Sequence, residues 1–171
     1  QIPFGTAQAA TIRVGYHHGA GDRVAAGRAG WVALVIGTGF MSTTALAMLL
    51  VPTALLRVYI DPDLPANAAL VAFALQYLMW AAIFQLADGV QAVAAGALRG
   101  LQDTRIPMWI AIFSYWVPGI GMSVGLGFFT PLEGTGVWIG LATGLFFAAA
   151  GLLWRWNRRE VLGLTRGQPA S

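Results

Sequence analysis

One carboxylate stands alone in a long apolar stretch of this chain. Asp88 is the single charged side chain between residues 64 and 98, and Gln85 and Gln91 lie about one helical turn to either side of it. An ionisable group inside a membrane-spanning helix costs about 2.5 to 3.5 kcal/mol to insert, so it normally faces a wet cavity and binds an ion or a proton. The pattern predicts a transporter in which Asp88 binds an ion or a proton.

Aromatic side chains share the predicted helical face with Asp88. At steps of three and four residues, one stripe joins it to Tyr77, Trp80, Phe84, Gln91 and Ala95. Ring faces and a carboxylate together can hold an organic cation, at about 2 kcal/mol or more per desolvated cation–π contact. We therefore expect the polar and aromatic members of the stripe, with the flanking Gln85, to line a cavity. The alternative is that the rings only pack against neighbouring helices.

The composition places these residues in a membrane. The chain is 57% hydrophobic and 10% charged, whereas a soluble domain carries about 25% charged residues. Four uncharged runs, 29–56, 64–87, 106–132 and 134–154, each reach the roughly 20 residues that cross a bilayer as a helix. A shorter apolar segment, 2–12, reads as a fifth helix whose beginning is missing. The sequence predicts an all-α, polytopic membrane protein of about five spans.

The charges predict an orientation and exclude nucleic acid as a partner. The net charge is +3, but membrane-length apolar segments separate the arginines, so they form no continuous basic surface. If the spans alternate, most arginines fall on one side, namely residues 23, 28, 99, 105, 155, 158, 159 and 166. Arg57 alone falls on the other side, and by the positive-inside rule the arginine-rich side is cytoplasmic. We expect a protein of the bacterial inner membrane with a cytoplasmic C-terminus.

Turn-forming residues predict where the helices begin and end. Asp22 is expected to cap a helix that starts near Val24, and Pro52 to kink the helix that contains it. Asp103 and Thr104 predict a turn and a cap before the fourth span. Pro118, with glycines around it, should bend that span in its middle.

The last span carries contact and interface signals. Gly136, Gly140 and Gly144 recur at four-residue spacing, which predicts a smooth face for close helix contact. Trp154 and Trp156, beside arginines 155, 158 and 159, are typical of an interfacial anchor. We expect one transmembrane bundle over residues 1–160, incomplete at its first helix, and a polar, disordered cytoplasmic tail over 161–171.

The sequence offers little for catalysis. It has no Cys, so thiolate metal sites and disulfides are excluded. His17 and His18 are adjacent and point about 100° apart on a helix, so they cannot bind one metal as an i, i+4 pair would. A Ser nucleophile would need a nearby base. We expect no enzyme activity, no cofactor, and no metal other than a possible Na⁺ at Asp88.

Four stretches resemble one family of membrane transporters. They are AATIRVG at 9–15, GAGD at 19–22, FQLADGVQ at 84–91 and GALRGLQDTRIP at 96–107. In this order and spacing they resemble the multidrug and toxic compound extrusion (MATE) family, in its NorM-like branch, over nearly the whole chain.

The resemblance implies a fold and a mechanism. Its members have twelve helices in two lobes, so the chain is expected to be a C-terminal fragment holding the last five helices. Asp88 would belong to the C-lobe cation site, with a Glu on the seventh helix as partner. That helix and the N-terminal lobe would be missing partners, beside membrane lipid and a xenobiotic substrate. Amphipathic, often cationic, compounds would leave in exchange for Na⁺ or H⁺. A lipid-linked oligosaccharide flippase and a non-transporting membrane scaffold are the alternatives.

Overall fold

The computed structural model describes residues 1–165, apart from the side chain of Glu133, and this part of the chain contains helices and turns but no strand. The helices are α1 (Ile2–Gly19), α2 (Arg23–Leu50), α3 (Pro52–Leu56), α4 (Ala68–Gly100), α5 (Arg105–Ser114), α6 (Gly121–Phe129) and α7 (Glu133–Asn157). A 3₁₀ turn at Pro65–Asn67 precedes α4, and a π-helical segment at Tyr115–Ile120 joins α5 to α6. The predicted all-α class is confirmed.

Four helical stretches are long and apolar enough to cross a membrane, namely Arg23–Leu50, Pro65–Gly100, Arg105–Phe129 and Gly134–Asn157. The first of the five predicted spans corresponds to α1, a helix of 18 residues that is not among the four. Its C-terminal half carries Arg13, His17 and His18, which makes it more polar than the others. All five predicted helical segments are therefore present. They are α1, α2, α4, the continuous stretch from α5 to α6, and α7.

Local chemistry explains the breaks between α1, α2 and α3. Asp22 caps α2 as predicted, since its Oδ1 accepts a hydrogen bond from the Ala25 N–H at 2.9 Å. Gly21 has a φ of +74°, which lets the Asp22 N–H reach the His17 carbonyl and close α1 in a Schellman turn. Pro52 starts α3 after α2 has ended at Leu50. The predicted kink is thus a complete break.

The span around Pro118 departs from regular α-helix, in agreement with the prediction that Pro118 would bend or loosen it. Proline has no N–H and its ring clashes with the preceding turn, so regular α-helix cannot continue through it. The chain widens into the π-helical segment Tyr115–Ile120 and returns to regular helix at Gly121. A π-bulge of this kind re-forms backbone hydrogen bonds within the span, as a membrane requires.

Small residues bring α1 and α4 into close contact. A Cβ atom added to Gly96 would overlap the backbone of Ala7, and one added to Gly100 would lie 2.8 Å from the Val14 side chain. The Thr11 hydroxyl lies 2.9 Å from the Gly96 carbonyl and donates a hydrogen bond across the interface. Glycine at such crossings lets two backbones approach and gain van der Waals contact.

The glycine face predicted on α7 is confirmed. A Cβ added to Gly136 would lie 2.6 Å from the backbone of Leu126, and one added to Gly144 would lie 2.8 Å from Gly119. Between them, Gly140 lies against the backbone of Ser123. The face therefore packs on α6 and on the π-helical segment, so the last two spans form one tight pair.

The predicted interfacial anchor is wrong for three of its members. Trp156 is fully buried against Gly30 of α2, and the Arg159 guanidinium lies 4.7 Å from its ring centroid. Arg155 forms an ion pair with Asp103. Trp154 and Arg158 stay exposed. Trp154, Arg155 and Trp156 face different sides because α7 continues to Asn157 and rotates each residue by about 100°, whereas Arg158 and Arg159 lie in the turn that follows.

Asp103 does not provide the cap that the sequence predicted before α5. Gln102 has a φ of +60°, and the Asp103 N–H donates to the Leu98 carbonyl, so the α4 end is a second Schellman turn. The Asp103 carboxylate instead accepts two hydrogen bonds from Arg155, at 2.5 Å from Nε and 3.1 Å from Nη2. This bidentate pair joins the α4–α5 turn to α7.

The bundle extends into the predicted tail. Residues 158–165 form turns, Leu164 packs against the core, and Thr165 is buried. The prediction of a polar, disordered tail is therefore wrong for residues 161–165. Residues 166–171 lie outside the part of the chain that the structure describes.

We expect Gly96→Ala to lower the free energy of unfolding by about 1–3 kcal/mol, as overpacking does. The new methyl would meet the Ala7 backbone, which cannot rotate away as a side chain would, so α1 would have to shift. Thermal unfolding in detergent measures the effect. Gly39→Ala is the matched control, because its Cβ would meet nothing within 4 Å. Equal destabilisation by both changes would contradict the close contact of α1 and α4.

Candidate functional site

Asp88 lies deep in α4, the longest helix. Arg99, which is exposed, follows it by 11 residues, or about 16 Å along the axis at 1.5 Å per residue. An arginine near a helix end reaches the membrane interface by snorkelling, and the hydrocarbon core is about 30 Å thick. With Arg99 at the interface, Asp88 therefore lies near the middle of the membrane.

The neighbouring helices leave Asp88 uncovered. The adjacent Gly89 lies against Met41 of α2, and Ala87 packs with Leu145 and Ala149 of α7. Asp88 lies between these two contact faces and is exposed. In the described part of the chain the ion pairs involve other acids, namely Asp63, Asp103 and Glu160. Among the described residues, the Asp88 carboxylate is thus exposed and has no ion-pair partner.

Gln91 and Tyr115 form a polar pair beside this carboxylate. The Tyr115 hydroxyl donates a hydrogen bond to Gln91 Oε1 at 2.7 Å, which links α4 to the π-helical segment. Tyr115 was not among the site residues predicted from the sequence. A signal was present, because a tyrosine hydroxyl inside an apolar span requires a hydrogen-bond partner.

Gln85 faces α2. Its Nε2 lies 3.4 Å from the Met41 carbonyl, a long hydrogen bond that crosses between the helices. The two glutamines that flank Asp88 in sequence therefore have different partners. Gln91 contacts Tyr115, and Gln85 contacts Met41. Gln85 contributes a link between α2 and α4.

The aromatic residues gather around a tryptophan of α7. Tyr77 and Phe84 each make an edge-to-face contact with Trp138, at 5.8 Å and 6.4 Å between ring centroids. Tyr77, Trp80 and Trp138 also line a cavity of about 220 Å³ between α4 and the start of α7. The Trp80 Nε1 is buried there without a hydrogen-bond partner among the described residues. Asp88 is not among the lining residues of this cavity.

The site therefore has two parts along α4, to which the π-helical segment and α7 each add one residue. Asp88, Gln91 and Tyr115 form the polar part, and Tyr77, Trp80, Phe84 and Trp138 form the aromatic part. Trp80 and Asp88 are eight residues apart, or about 12 Å along the helix. The cavity next to the aromatic part is smaller than the roughly 300–1,000 Å³ of typical ligand pockets. The described residues thus place a carboxylate and a group of aromatic rings along α4, and the cavity beside the rings is by itself small for a drug-sized ligand.

A family model decides the relationship of this chain to known proteins. The model of the MatE family matches residues 1–124, which is more than half of the chain. The chain belongs to the MatE family. The resemblance that four short stretches indicated is thereby confirmed.

Curated MatE relatives match this chain over most of its length. It is 50% identical over 159 residues to the probable multidrug resistance protein NorM of Mesorhizobium japonicum, and 50% identical over 158 residues to the multidrug resistance protein NorM of Burkholderia vietnamiensis. The matches cover 93% and 91% of this chain and 34% of each relative. The MatE chain therefore spans about a third of the length of the curated relatives that it matches.

A solved structure shows the same fold. The eukaryotic MATE transporter AtDTX14 superposes with a TM-score of 0.77 at 21% sequence identity. The match covers 96% of this MatE chain and 37% of the AtDTX14 chain. The helical arrangement described above is therefore an arrangement that occurs in a MATE transporter.

Proposed function

We propose that this MatE chain forms part of a secondary active multidrug exporter, in which Na⁺ or H⁺ enters down its gradient and an amphipathic, often cationic, compound leaves. The observation that carries the proposal is the exposed carboxylate of Asp88 within the long apolar helix α4. Burying an ion there is costly. Asp88 is exposed and has no cationic partner among the described residues. We therefore expect its ligand to be a cation.

The relatives support the multidrug part of the proposal. Two proteins that are 50% identical to this chain are named multidrug resistance proteins. The aromatic part of the site agrees with such substrates, because aromatic faces attract organic cations without requiring one exact shape. We infer that Tyr77 and Trp80 contact the substrate and that Gln91 and Tyr115 orient the carboxylate.

Competition for one charge couples the two fluxes. An ion on Asp88 neutralises the carboxylate, and the organic cation then loses its attraction to the site. When the ion leaves, the charge returns and the drug binds again. Export also requires that the ion bind the inward-open and outward-open states with different affinity, since a ligand shifts an equilibrium only by that difference.

The rest of the substrate cavity belongs to other parts of the transporter in this proposal. The chain spans 34% of its curated relatives, and the exposed face of α4 around Asp88 is available for them. A carboxylate on a neighbouring helix and the opposite lobe would complete the site, so the substrate would lie between this face and that lobe.

The arginines support a cytoplasmic C-terminus. The structure brings the C-terminal ends of α1, α4 and α7 and the N-terminal end of α2 into one core cluster, so the arginine-rich turns meet at one end of the bundle. Short loops rich in Arg stay on the cytoplasmic side. We propose that this end faces the cytoplasm of a bacterium and that the turn with Arg57 faces outward.

Gradient-driven efflux from proteoliposomes tests the proposal. Proteoliposomes that contain the complete transporter are loaded with ethidium or norfloxacin. Release of the compound is followed under a sodium gradient and, separately, under a proton gradient. We expect release under one gradient and none after an ionophore collapses it. Absence of efflux for every compound under both gradients would contradict the exporter and favour a flippase or a scaffold. A flippase would instead move a fluorescent lipid-linked oligosaccharide.

A further inference from the structure

A groove of about 760 Å³ runs between α1 and α2, and its lining among the described residues comes from these two helices alone. Its volume is within the roughly 300–1,000 Å³ of ligand-binding pockets. It is separate from the face of α4 that carries Asp88, because no residue of α4 lines it. The proposed export mechanism makes no use of this groove.

One end of the groove is cationic. Arg13 and His17 lie on one face of α1, four residues apart, and Arg28 faces them from α2. Both arginines lie about one and a half helical turns from the connector between α1 and α2. They are therefore at a similar height along the bundle. Among the described side chains, ion pairs occupy other arginines, at 57, 155 and 159. Two exposed guanidinium groups therefore face the groove without an acid.

The other end of the groove is apolar and open. Gly5 and Ala9 of α1 face Val32 and Ile36 of α2, and a Cβ added to Gly5 would meet nothing within 4 Å. Val32 and Ile36 are 51% and 59% exposed. Gly5 and Arg13 are eight residues apart, so the apolar part extends about 12 Å from the arginines along the helix.

We propose that this groove is a binding site for an anionic phospholipid. The phosphate lies between Arg13 and Arg28, and one acyl chain lies along Gly5, Ala9, Val32 and Ile36. Basic pockets between transmembrane helices at the membrane boundary bind anionic headgroups. The charge excludes the cationic compounds proposed as export substrates. A helix from elsewhere in the protein could cover the groove only if it brought acids for both arginines, because burying unpaired charges in the membrane is costly.

Native mass spectrometry of the full chain with dioleoylphosphatidylglycerol, and with dioleoylphosphatidylcholine as the neutral lipid, tests the site. We expect tighter retention of the anionic lipid. Arg13→Gln and Arg28→Gln should each weaken binding of the anionic lipid about fivefold, which corresponds to the attraction of one arginine to an anionic headgroup. The double variant should weaken it about 25-fold. Gly5→Leu should weaken it by filling the acyl part of the groove while leaving both charges in place.

Arg23→Gln is the matched control, since Arg23 starts α2 at the same end of the bundle but does not line the groove. It should leave retention within twofold, and far-UV circular dichroism should show equal helix content in every variant. Equal retention of both lipids by the parent chain would overturn the proposal. So would unchanged binding in the double arginine variant, a loss in Arg23→Gln equal to those at Arg13 and Arg28, or Arg-dependent binding that Gly5→Leu leaves intact.

Discussion

Asp88→Asn abolishes gradient-driven efflux in the complete transporter and leaves the protein folded. The amide keeps the size of the side chain and part of its hydrogen bonding, but it cannot attract Na⁺ by charge or take up a proton. Two opposite unit charges about 4 Å apart attract each other by about 4 kcal/mol at an effective dielectric constant of about 20, so we expect cation affinity to fall by about 1,000-fold. Substrate release from proteoliposomes under the active gradient measures the loss.

Asp63→Asn is the matched control for this change. Asp63 lies in the connector before α4 and pairs with Arg57 at 3.1 Å, with both side chains largely exposed. The same chemical change there should leave efflux unchanged. Unaltered coupling in Asp88→Asn would remove Asp88 from the mechanism. Loss of efflux together with loss of the folded protein, seen by size-exclusion chromatography in detergent, would assign it a structural role instead.

Arg155→Met destabilises the bundle by about 3 kcal/mol. Arg155 and Asp103 are 12% and 9% exposed and form a bidentate pair between α7 and the α4–α5 turn. Removing one partner of a buried pair leaves the other charge uncompensated, at about 3–5 kcal/mol, and we take the lower end because these helix ends lie near water. Chemical or thermal unfolding in detergent micelles gives the change in the free energy of unfolding.

Two further variants separate this effect from loss of bulk. Arg57→Met breaks the exposed pair with Asp63 and should cost at most about 1 kcal/mol. The double variant Asp103→Leu with Arg155→Met should recover much of the stability lost in Arg155→Met, since no charge is left buried. A cost in Arg155→Met equal to that in Arg57→Met, or a double variant less stable than the single one, would show that the pair contributes little.

The long helices and most of their ends were predictable from the sequence. Uncharged runs of membrane length can satisfy their backbone hydrogen bonds in lipid only as helices, and Asp22, Pro52 and Pro118 interrupt or cap helices through local chemistry. The glycine face of α7 was predictable for a related reason, because Gly136, Gly140 and Gly144 share one face at helical spacing. The four-stretch resemblance to the MATE family was specific enough to be confirmed by the family model.

The partners of particular side chains were not predictable in this way. Asp103 was expected to cap α5, but Gln102 at positive φ directs it toward α7, where it meets Arg155. Trp156 was expected at the interface, and it is buried because Gly30 of α2 leaves space for its ring. Each outcome depends on a helix that is distant in sequence, and hydrophobic periodicity carries no information about which distant helix lies opposite.

The candidate site, too, was predictable only in part from the sequence. The sequence by itself determined that one acid, Asp88, lies inside a membrane-length apolar helix, because charge and hydropathy are properties of the residues. Only the tertiary structure decided that α2 and α7 leave this acid open, that Tyr115 joins Gln91, and that Trp138 gathers the aromatic residues. The physical reason is that the rotation and crossing of packed helices follow from the summed contacts of all their side chains.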